Sequence, residues 1–187
     1  MTRCNFLIVG GGIIGLTIAQ SLLRKGVKDI VIIEKEKKIG QHASGRNSGV
    51  LHAGIYYTPD SLKARFCLEG NRLMKEYCLK NNLTLRKFGK VIVSKTLDEA
   101  EMILELERRA HSCGAKIKLI SSNELNEIEP YAKTVGQALY SPETAAVNSK
   151  QILACLQEEL ISSGSVKIIF GAKLEEIDGN SAMTSSG

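Results

Sequence analysis

The 187-residue sequence has no tryptophan, and aromatic side chains occupy only 5% of its positions. It also lacks a run of the roughly 18 apolar residues that a membrane-spanning helix requires. None of its five cysteines is paired in a C-x-x-C motif, the usual signature of a metal or redox site. We therefore expect free thiols in a reducing compartment, no bound metal and no transmembrane segment.

Charge and aromatic content both argue against a nucleic-acid surface. The formal net charge is +5, but lysine and arginine are dispersed along the sequence. Nucleic acid would require a basic stripe with interleaved aromatic rings. An acidic small-molecule substrate fits a mildly basic protein.

The N-terminal sequence MTRCNFLIVGGG contains no secretory signal. We expect a cytoplasmic protein, with peripheral contact at the inner membrane as an alternative.

The N-terminal part of the sequence predicts a β-α-β unit. Phe6 to Val9 is a continuous apolar run, typical of a strand buried on both faces of a parallel sheet. Ile13 to Lys25 has helical spacing and ends at Gly26, a residue that favours helix termination. Ile30 to Ile33 is a second buried strand, and Glu34 follows it directly.

The middle of the sequence changes character. A helix is predicted over 61–81, and capping boxes at Thr96/Glu99 and Ser121/Glu124 open two further helices. The predicted strands here are two pieces around Gly89 within 83–95, a strand at 117–120 and a strand at 136–140.

The last part of the sequence returns to the α/β pattern. Asn148 and Gln151 form a third capping box, and the apolar run Val166 to Phe170 is typical of a buried strand. Leu174 to Ile177 resembles a strand, and the DGN sequence after it indicates a hairpin turn, which needs a returning strand.

These composition shifts predict one domain inserted into another. Residues 1–82 and 146–187 would form the first domain, and residues 83–145 would form part of the inserted one.

A G-x-G-x-x-G motif at Gly10, Gly12 and Gly15 lies between the first strand and the first helix. The first glycine permits a tight turn, the second lets the backbone approach a pyrophosphate, and the third lets the helix pack on the strand. Glu34, about 20 residues further on, is placed to accept hydrogen bonds from an adenosine ribose. The acidic residue disfavours NADP, which carries a 2′-phosphate.

The next segment, GQHASGRNSGVLHAGIYY, distinguishes FAD from NAD. An NAD-binding half would continue with a helix and a strand, whereas this sequence continues with a long stretch rich in glycine and serine. Such a segment suits a larger cofactor, because its backbone N–H groups can reach a diphosphate and a flavin ring. FAD is therefore the cofactor we predict, and an NAD-dependent dehydrogenase is disfavoured.

The glycine motif, Glu34 and the sequence SGRNSGVLHAGIYYTPDSLKARFCLEGN resemble the flavoproteins of the D-amino-acid-oxidase-like superfamily. Within it, the NSGVxHxGIYY pattern resembles the L-2-hydroxyglutarate oxidases and dehydrogenases. The resemblance implies a Rossmann-like FAD-binding domain of the glutathione-reductase type with part of an inserted α+β substrate domain. Members of this family are longer, so this chain corresponds to a C-terminally truncated, N-terminal half. A second fragment that carries the other half is an expected partner.

The resemblance also implies a set of cofactor-binding residues. They are Gly10, Gly12, Ile13, Ile14, Gly15, Glu34 and Lys35 in the first unit, Ser44, Arg46, Asn47, Ser48 and Gly49 along the diphosphate and ring, and Leu174 near the adenine.

The implied reaction oxidises a small dicarboxylate 2-hydroxy acid and passes electrons to a quinone or to oxygen. It needs a base for the hydroxyl proton, cations for the carboxylates and a hydride acceptor. His52 is the candidate base, with a packing role as the alternative. Tyr56, Lys63 and Arg65 are candidate substrate-binding residues, although exposed charges on a helix are common.

Three other functions remain open from the sequence. One is an amine or amino-acid oxidase of the glycine or sarcosine type, from the same superfamily. Another is a truncated remnant without catalytic activity. The third is the disfavoured NAD-dependent dehydrogenase.

Overall fold

The computed structural model describes residues 2–185, so Met1, Ser186 and Gly187 lie outside the described residues. The last two close the segment predicted as 146–187. In chain order, the elements up to the middle of the chain are β1 Phe6–Val9, α1 Ile13–Arg24, β2 Ile30–Glu34, β3 Val50–Leu51, α2 Leu62–Lys80, β4 Leu85–Arg86, β5 Lys90–Ile92 and α3 Leu97–Ser112. The remaining elements are β6 Lys118–Ile120, α4 Ser122–Ile128, β7 Ala138–Ser141, β8 Ala145–Val147, α5 Ser149–Ser162, β9 Val166–Phe170, β10 Leu174–Asp178 and β11 Ser181–Thr184.

The chain divides into two compact units. Unit 1 combines the residues up to Ser48 with those from Asn148 onward, and unit 2 comprises Gly49–Val147. The mixed α/β fold agrees with the sequence prediction. The boundary between the first segment of unit 1 and unit 2, however, falls after Ser48, whereas the sequence predicts it after residue 82. The physical reason is α2, whose contacts are made with the strands of unit 2.

Unit 1 is built on a three-stranded parallel sheet in the order β1-β2-β9. Every residue of the central strand β2 is buried, as its apolar sequence predicts. The prediction that β1 is buried on both faces is wrong, since Phe6 is 45% and Val9 57% exposed. Within the described residues, β1 is an edge strand whose only sheet neighbour is β2.

Two helices of unit 1 pack against each other. The buried residues of α1 include Leu16 and Ala19, and α5 buries Leu153, Leu156 and Leu160. Gln20 donates a hydrogen bond of 2.8 Å to Glu159 between the two helices. Leu16 and Ala19 of α1 and the leucines of α5 thus form one apolar layer, and for α1 the helical spacing of the sequence predicts this.

The returning strand required by the DGN turn is present. β10 and β11 pair in antiparallel fashion, with Asp178 opposite Ser181 at the turn. The hairpin prediction is therefore confirmed.

Unit 2 contains two small antiparallel sheets, with the orders β3-β8-β4 and β5-β7-β6. The short strands β3 and β8 were not predicted, because two or three residues are too few to show a period-2 pattern. One apolar cluster centres on Ile55, Ala110 and Ala115, and another on Ile120 and Leu125.

The helix starts follow the predicted side-chain caps. Ser121 and Glu124 form a complete capping box. Thr96 accepts the Glu99 N–H, but the Glu99 carboxylate accepts from the Lys95 N–H, one residue earlier than in a standard box.

Asn71, a buried polar residue on α2, ties that helix to the sheet of unit 2. Its side-chain amide donates to the carbonyl oxygens of Leu51, His52 and Glu143, at 3.0–3.2 Å. The asparagine is 6% exposed. Its two N–H donors are therefore shared among a carbonyl in β3, the carbonyl just after it and one that precedes β8.

We predict that Asn71→Ala lowers the free energy of unfolding by about 1–3 kcal/mol, because it leaves carbonyl groups without a donor. Urea denaturation measures the change. Asn126→Ala, at an exposed position of α4, is the matched control and should have little effect. Equal stability of the two variants would contradict the role of Asn71.

Candidate functional site

The glycine motif of unit 1 forms a tight loop between β1 and α1. Gly10 has a φ of +105°, which favours glycine, and its N–H donates to the Ile33 carbonyl at 2.8 Å. A Cβ atom on Gly15 would collide with the Gly10 carbonyl oxygen. Both positions therefore require glycine for the backbone to close into this turn.

Glu34, at the end of β2, is 7% exposed and holds the loop in place. One of its carboxylate oxygens accepts the Gly11 N–H at 2.7 Å, and the other accepts the Glu36 N–H at 2.9 Å. A carboxylate has about four lone-pair sites, so two remain after these bonds. Those two can accept hydrogen bonds from the hydroxyl groups of a ribose.

Ser44 comes from the glycine-rich segment and meets the start of α1. Its hydroxyl oxygen accepts the Ile13 N–H at 3.0 Å. A Cβ atom on Gly12 would lie 3.0 Å from that hydroxyl oxygen, so glycine keeps the approach open. The N-terminus of α1 supplies N–H donors and a partial positive charge, which together suit a phosphate.

These elements border a cavity of about 540 Å³ in unit 1. The predicted residues that line it are Gly10, Gly12, Glu34, Lys35, Ser44 and Leu174. Residues that line it but were missed from the sequence include Gln41, His42, Ala43, Ala172 and Lys173. Ala172 and Lys173 follow β9, which pairs in parallel with β2, so both strands end at the same edge of the sheet.

The other predicted cofactor residues lie elsewhere in the structure. Gly15 is buried by packing, whereas Ile14 is 69% exposed. Arg46 lines a second cavity of unit 1, of about 550 Å³, together with Lys37, Lys38 and Lys150.

Asn47, Ser48 and Gly49 close the list of predicted cofactor residues. The Asn47 amide donates to the carbonyls of Ala43 and Ser44, which stabilises the loop. Ser48 is exposed, and Gly49 accepts the Val147 N–H within unit 2.

His52, the candidate base, lies in unit 2 just after β3. Its carbonyl oxygen accepts the Asn71 amide at 3.0 Å, and the Cys67 thiol lies 3.5 Å from the same oxygen. Although His52 is an exposed residue overall, burial of part of its ring lowers the pKa of the imidazole below 6.5, and the charge of Lys90 lowers it further. The imidazole is therefore neutral at pH 7, as a base must be.

Lys90 is a residue that the sequence reasoning missed. Its ammonium group donates to the Tyr56 hydroxyl at 2.8 Å and lies 4.3 Å from the centre of the Tyr56 ring. Burial raises the pKa of the Cys67 thiol, and Lys90 partly opposes this rise. Lys90 therefore contacts Tyr56 directly, and its charge lowers the pKa of both His52 and Cys67.

The other candidate substrate residues lie beside aromatic rings. Lys63 lies 5.4 Å from the centre of the Tyr57 ring, and Arg65 lies 5.8 Å from that of Phe66. Tyr57 is half-buried, and its carbonyl oxygen accepts from the Cys113 thiol. The two neighbouring tyrosines therefore have different partners, and Tyr56 is the one that contacts Lys90.

Neither a metal site nor a membrane span is found among residues 2–185. No group of three or more His, Cys, Asp or Glu side chains is arranged there to hold a metal ion. None of the helices in that range is long and apolar enough to cross a bilayer.

The parallel β-α-β unit, its glycine loop and the acidic residue at the end of β2 define a dinucleotide-binding protein. The model of the FAD dependent oxidoreductase (DAO) family matches residues 5–186, and the chain belongs to this family. FAD is the cofactor of the family. The donor set of unit 1 fits the adenosine and diphosphate parts of FAD, because Glu34 could accept from the ribose and the loop at Gly10 and Gly12 could meet the diphosphate, while Leu174 lines the same cavity.

Curated relatives of the chain come from distant organisms. L-2-hydroxyglutarate dehydrogenase of Caenorhabditis briggsae, a mitochondrial protein, is 40% identical over 96% of this chain. The Escherichia coli (strain K12) and Homo sapiens proteins of the same name are 35% and 37% identical, over 93% and 90% of it. These matches cover 42%, 41% and 37% of the three relatives, so the chain spans about two-fifths of their length.

Solved structures share the fold. FAD-bound L-α-glycerophosphate oxidase of Mycoplasma pneumoniae superposes with a TM-score of 0.89 at 24% identity, over 100% of this chain and 51% of that one. Glycine oxidase of Geobacillus kaustophilus gives a TM-score of 0.87 at 23% identity, over 100% of this chain and 53% of that one. The predicted α/β fold is thereby confirmed, and this chain spans about half the length of these two proteins.

We predict that Glu34→Gln weakens FAD binding about 10-fold or more, because an amide replaces a charged acceptor of several hydrogen bonds. Quenching of flavin fluorescence on titration with the purified chain measures the affinity. Glu175→Gln, at an exposed position of β10, controls for the loss of one negative charge. Unchanged affinity of Glu34→Gln would contradict the proposed ribose contact.

We also predict that Lys90→Met raises the pKa of His52, because a nearby positive charge that disfavours the imidazolium is removed. NMR titration of the imidazole signals measures this pKa. Lys87→Met removes an exposed lysine three residues away and should leave the pKa of His52 unchanged. An equal effect of both substitutions would show that general charge, and not proximity, is responsible.

Proposed function

We propose that this chain is the cofactor-binding part of an FAD-dependent enzyme that oxidises L-2-hydroxyglutarate to 2-oxoglutarate. The observation that carries the proposal is the similarity of 90–96% of the chain to L-2-hydroxyglutarate dehydrogenases from a nematode, a bacterium and a human. The mildly basic composition supports an acidic substrate.

Oxidation of a 2-hydroxy acid removes a hydride from C2 and a proton from the hydroxyl group, and it leaves a 2-oxo acid. When bound, FAD supplies the acceptor for the two electrons. His52 takes the hydroxyl proton. Its lowered pKa keeps the imidazole neutral at pH 7, so the ring nitrogen can accept that proton.

Unit 1 would hold the cofactor mainly through its backbone and one carboxylate. Glu34 binds the ribose through the lone pairs that Gly11 and Glu36 leave free. The glycine loop and the N-terminus of α1 bind the diphosphate. Ser44 holds the glycine-rich segment against that helix end.

The electrons then pass to a quinone or to oxygen, and a quinone acceptor would bring the protein to the surface of the inner membrane. The part of the relatives that lies beyond this chain would be supplied by further residues of the same polypeptide or by a second fragment. The two acceptors are distinguished by whether reduced flavin is reoxidised anaerobically by a soluble quinone analogue.

Substrate identity is tested by mixing the flavin-loaded full-length protein anaerobically with candidate substrates. Bleaching of the flavin bands by L-2-hydroxyglutarate, and not by glycine or sarcosine, is the expected result. Bleaching by the amines alone would establish an amine oxidase. A visible spectrum of the purified 187-residue chain tests the non-catalytic alternative, which predicts no bound flavin.

We predict that His52→Gln slows flavin reduction by about 10²–10⁴-fold, the usual contribution of a general base. In the native protein, the rate falls as pH drops through the pKa of His52, because protonation removes the acceptor of the hydroxyl proton. This acidic limb lies below pH 6.5, since the pKa of His52 is lowered from that value. Stopped-flow absorbance across pH measures both effects. A full rate in His52→Gln would assign the proton transfer to another group.

A further inference from the structure

Lys90 is a half-buried cation in unit 2. Its hydrogen bond to Tyr56 is exposed, so the ammonium group is accessible to a ligand from solvent. Lys75 and Lys116 both pair with Glu143, and Lys118 pairs with Glu124. Within the described residues of unit 2, no carboxylate forms an ion pair with Lys90, and the polar partner found for its ammonium is the neutral hydroxyl of Tyr56.

The hydrogen bond and the ring contact of the Lys90 ammonium group are both with one residue, Tyr56. The hydrogen bond of 2.8 Å uses one of three N–H donors, and the Tyr56 ring lies 4.3 Å from the nitrogen. Two donors remain, which is the number that a carboxylate can accept. Lysine side chains on a surface usually sample many rotamers, and the two contacts with Tyr56 restrain this one, which favours binding of an anion by the remaining donors.

The groups around Lys90 are those expected beside a reacting hydroxy acid. The charge of Lys90 acts on both His52 on the segment after β3 and Cys67 on α2. Tyr56 completes the cluster, and the ionisable neighbours that the structure identifies are therefore an imidazole, a thiol and a phenol. None of the three is a carboxylate, so these neighbours leave the charge of Lys90 free to pair with an anionic ligand.

We propose that Lys90 binds a carboxylate of the substrate beside His52, and that Tyr56 is a positioning residue for the Lys90 ammonium group. The inference rests on the proposed function for the identity of the substrate, a 2-hydroxy dicarboxylate. Its site is made entirely of residues in unit 2. It assigns to Lys90 the role for which the sequence had suggested Lys63 and Arg65.

The test measures binding of glutarate, a dicarboxylate without the reactive hydroxyl group. In the 187-residue chain, the His52 imidazole signals report binding by NMR, and in the full-length protein glutarate is measured as a competitive inhibitor. Lys90→Met should weaken glutarate binding about 10-fold or more, the usual effect of losing a charge-assisted hydrogen bond. Lys90→Arg keeps the charge and should restore most of the affinity.

Two further variants separate the positioning role from a general loss of charge or of folding. Tyr56→Phe keeps the ring but loses the hydroxyl acceptor, so it should weaken glutarate binding less than Lys90→Met does. Lys87→Met should bind glutarate as the native chain does. In steady-state kinetics, Lys90→Met should raise KM for the substrate far more than it lowers kcat.

Each alternative outcome overturns the proposal. Equal glutarate affinity in Lys90→Met and the native protein, equal losses in Lys90→Met and Lys87→Met, or no glutarate binding by the native protein would each do so. Oxidation of an amine in place of L-2-hydroxyglutarate would overturn the proposed function but would leave the glutarate comparison as a valid test of Lys90. The two failures are therefore distinguishable.

Discussion

The buried hydrogen bond between Glu34 and the Gly11 N–H is the interaction on which the cofactor site depends. It joins the end of the central strand to the glycine loop at 2.7 Å. The second oxygen of the same carboxylate fixes the turn after β2 through Glu36. Because the loop leads directly into α1, this one carboxylate also sets the position of the helix end that would face a phosphate.

The sequence could predict those parts of the fold that have a local signal. The bounds of the β-α-β unit and of the DGN hairpin were predicted to within a residue or two. Strands, helices and turns of this kind depend on residues that are adjacent in the sequence. Burial of β1 was mispredicted, because an apolar run shows what a strand prefers and not which strands pair with it. The boundary of unit 1 at Ser48 differs from the predicted one at residue 82, because the contacts of α2, such as that of Asn71 with Glu143, join residues as many as 72 positions apart and leave no local signal.

The candidate site likewise contains residues that a sequence motif could predict and residues that it could not. The glycine motif and Glu34 have fixed spacing, so the sequence alone could place them at one cavity. Lys90 has no such signature, because its contact with Tyr56 spans 34 residues and joins a strand to a loop. Ala172 and Lys173 were missed for a related reason: they reach the cavity only because β9 pairs with β2 in parallel register.

The two hydrogen bonds that Glu34 accepts from backbone N–H groups affect how the cofactor binds. The carboxylate is already immobilised by two backbone N–H groups, so a ribose meets a receptor whose rotamer and loop are set beforehand. The conformational entropy of ordering this receptor is lost during folding and not during association. Cofactor affinity and the integrity of the parallel sheet are therefore thermodynamically linked, and a substitution far from the cavity that loosens β2 would weaken flavin retention without touching the flavin.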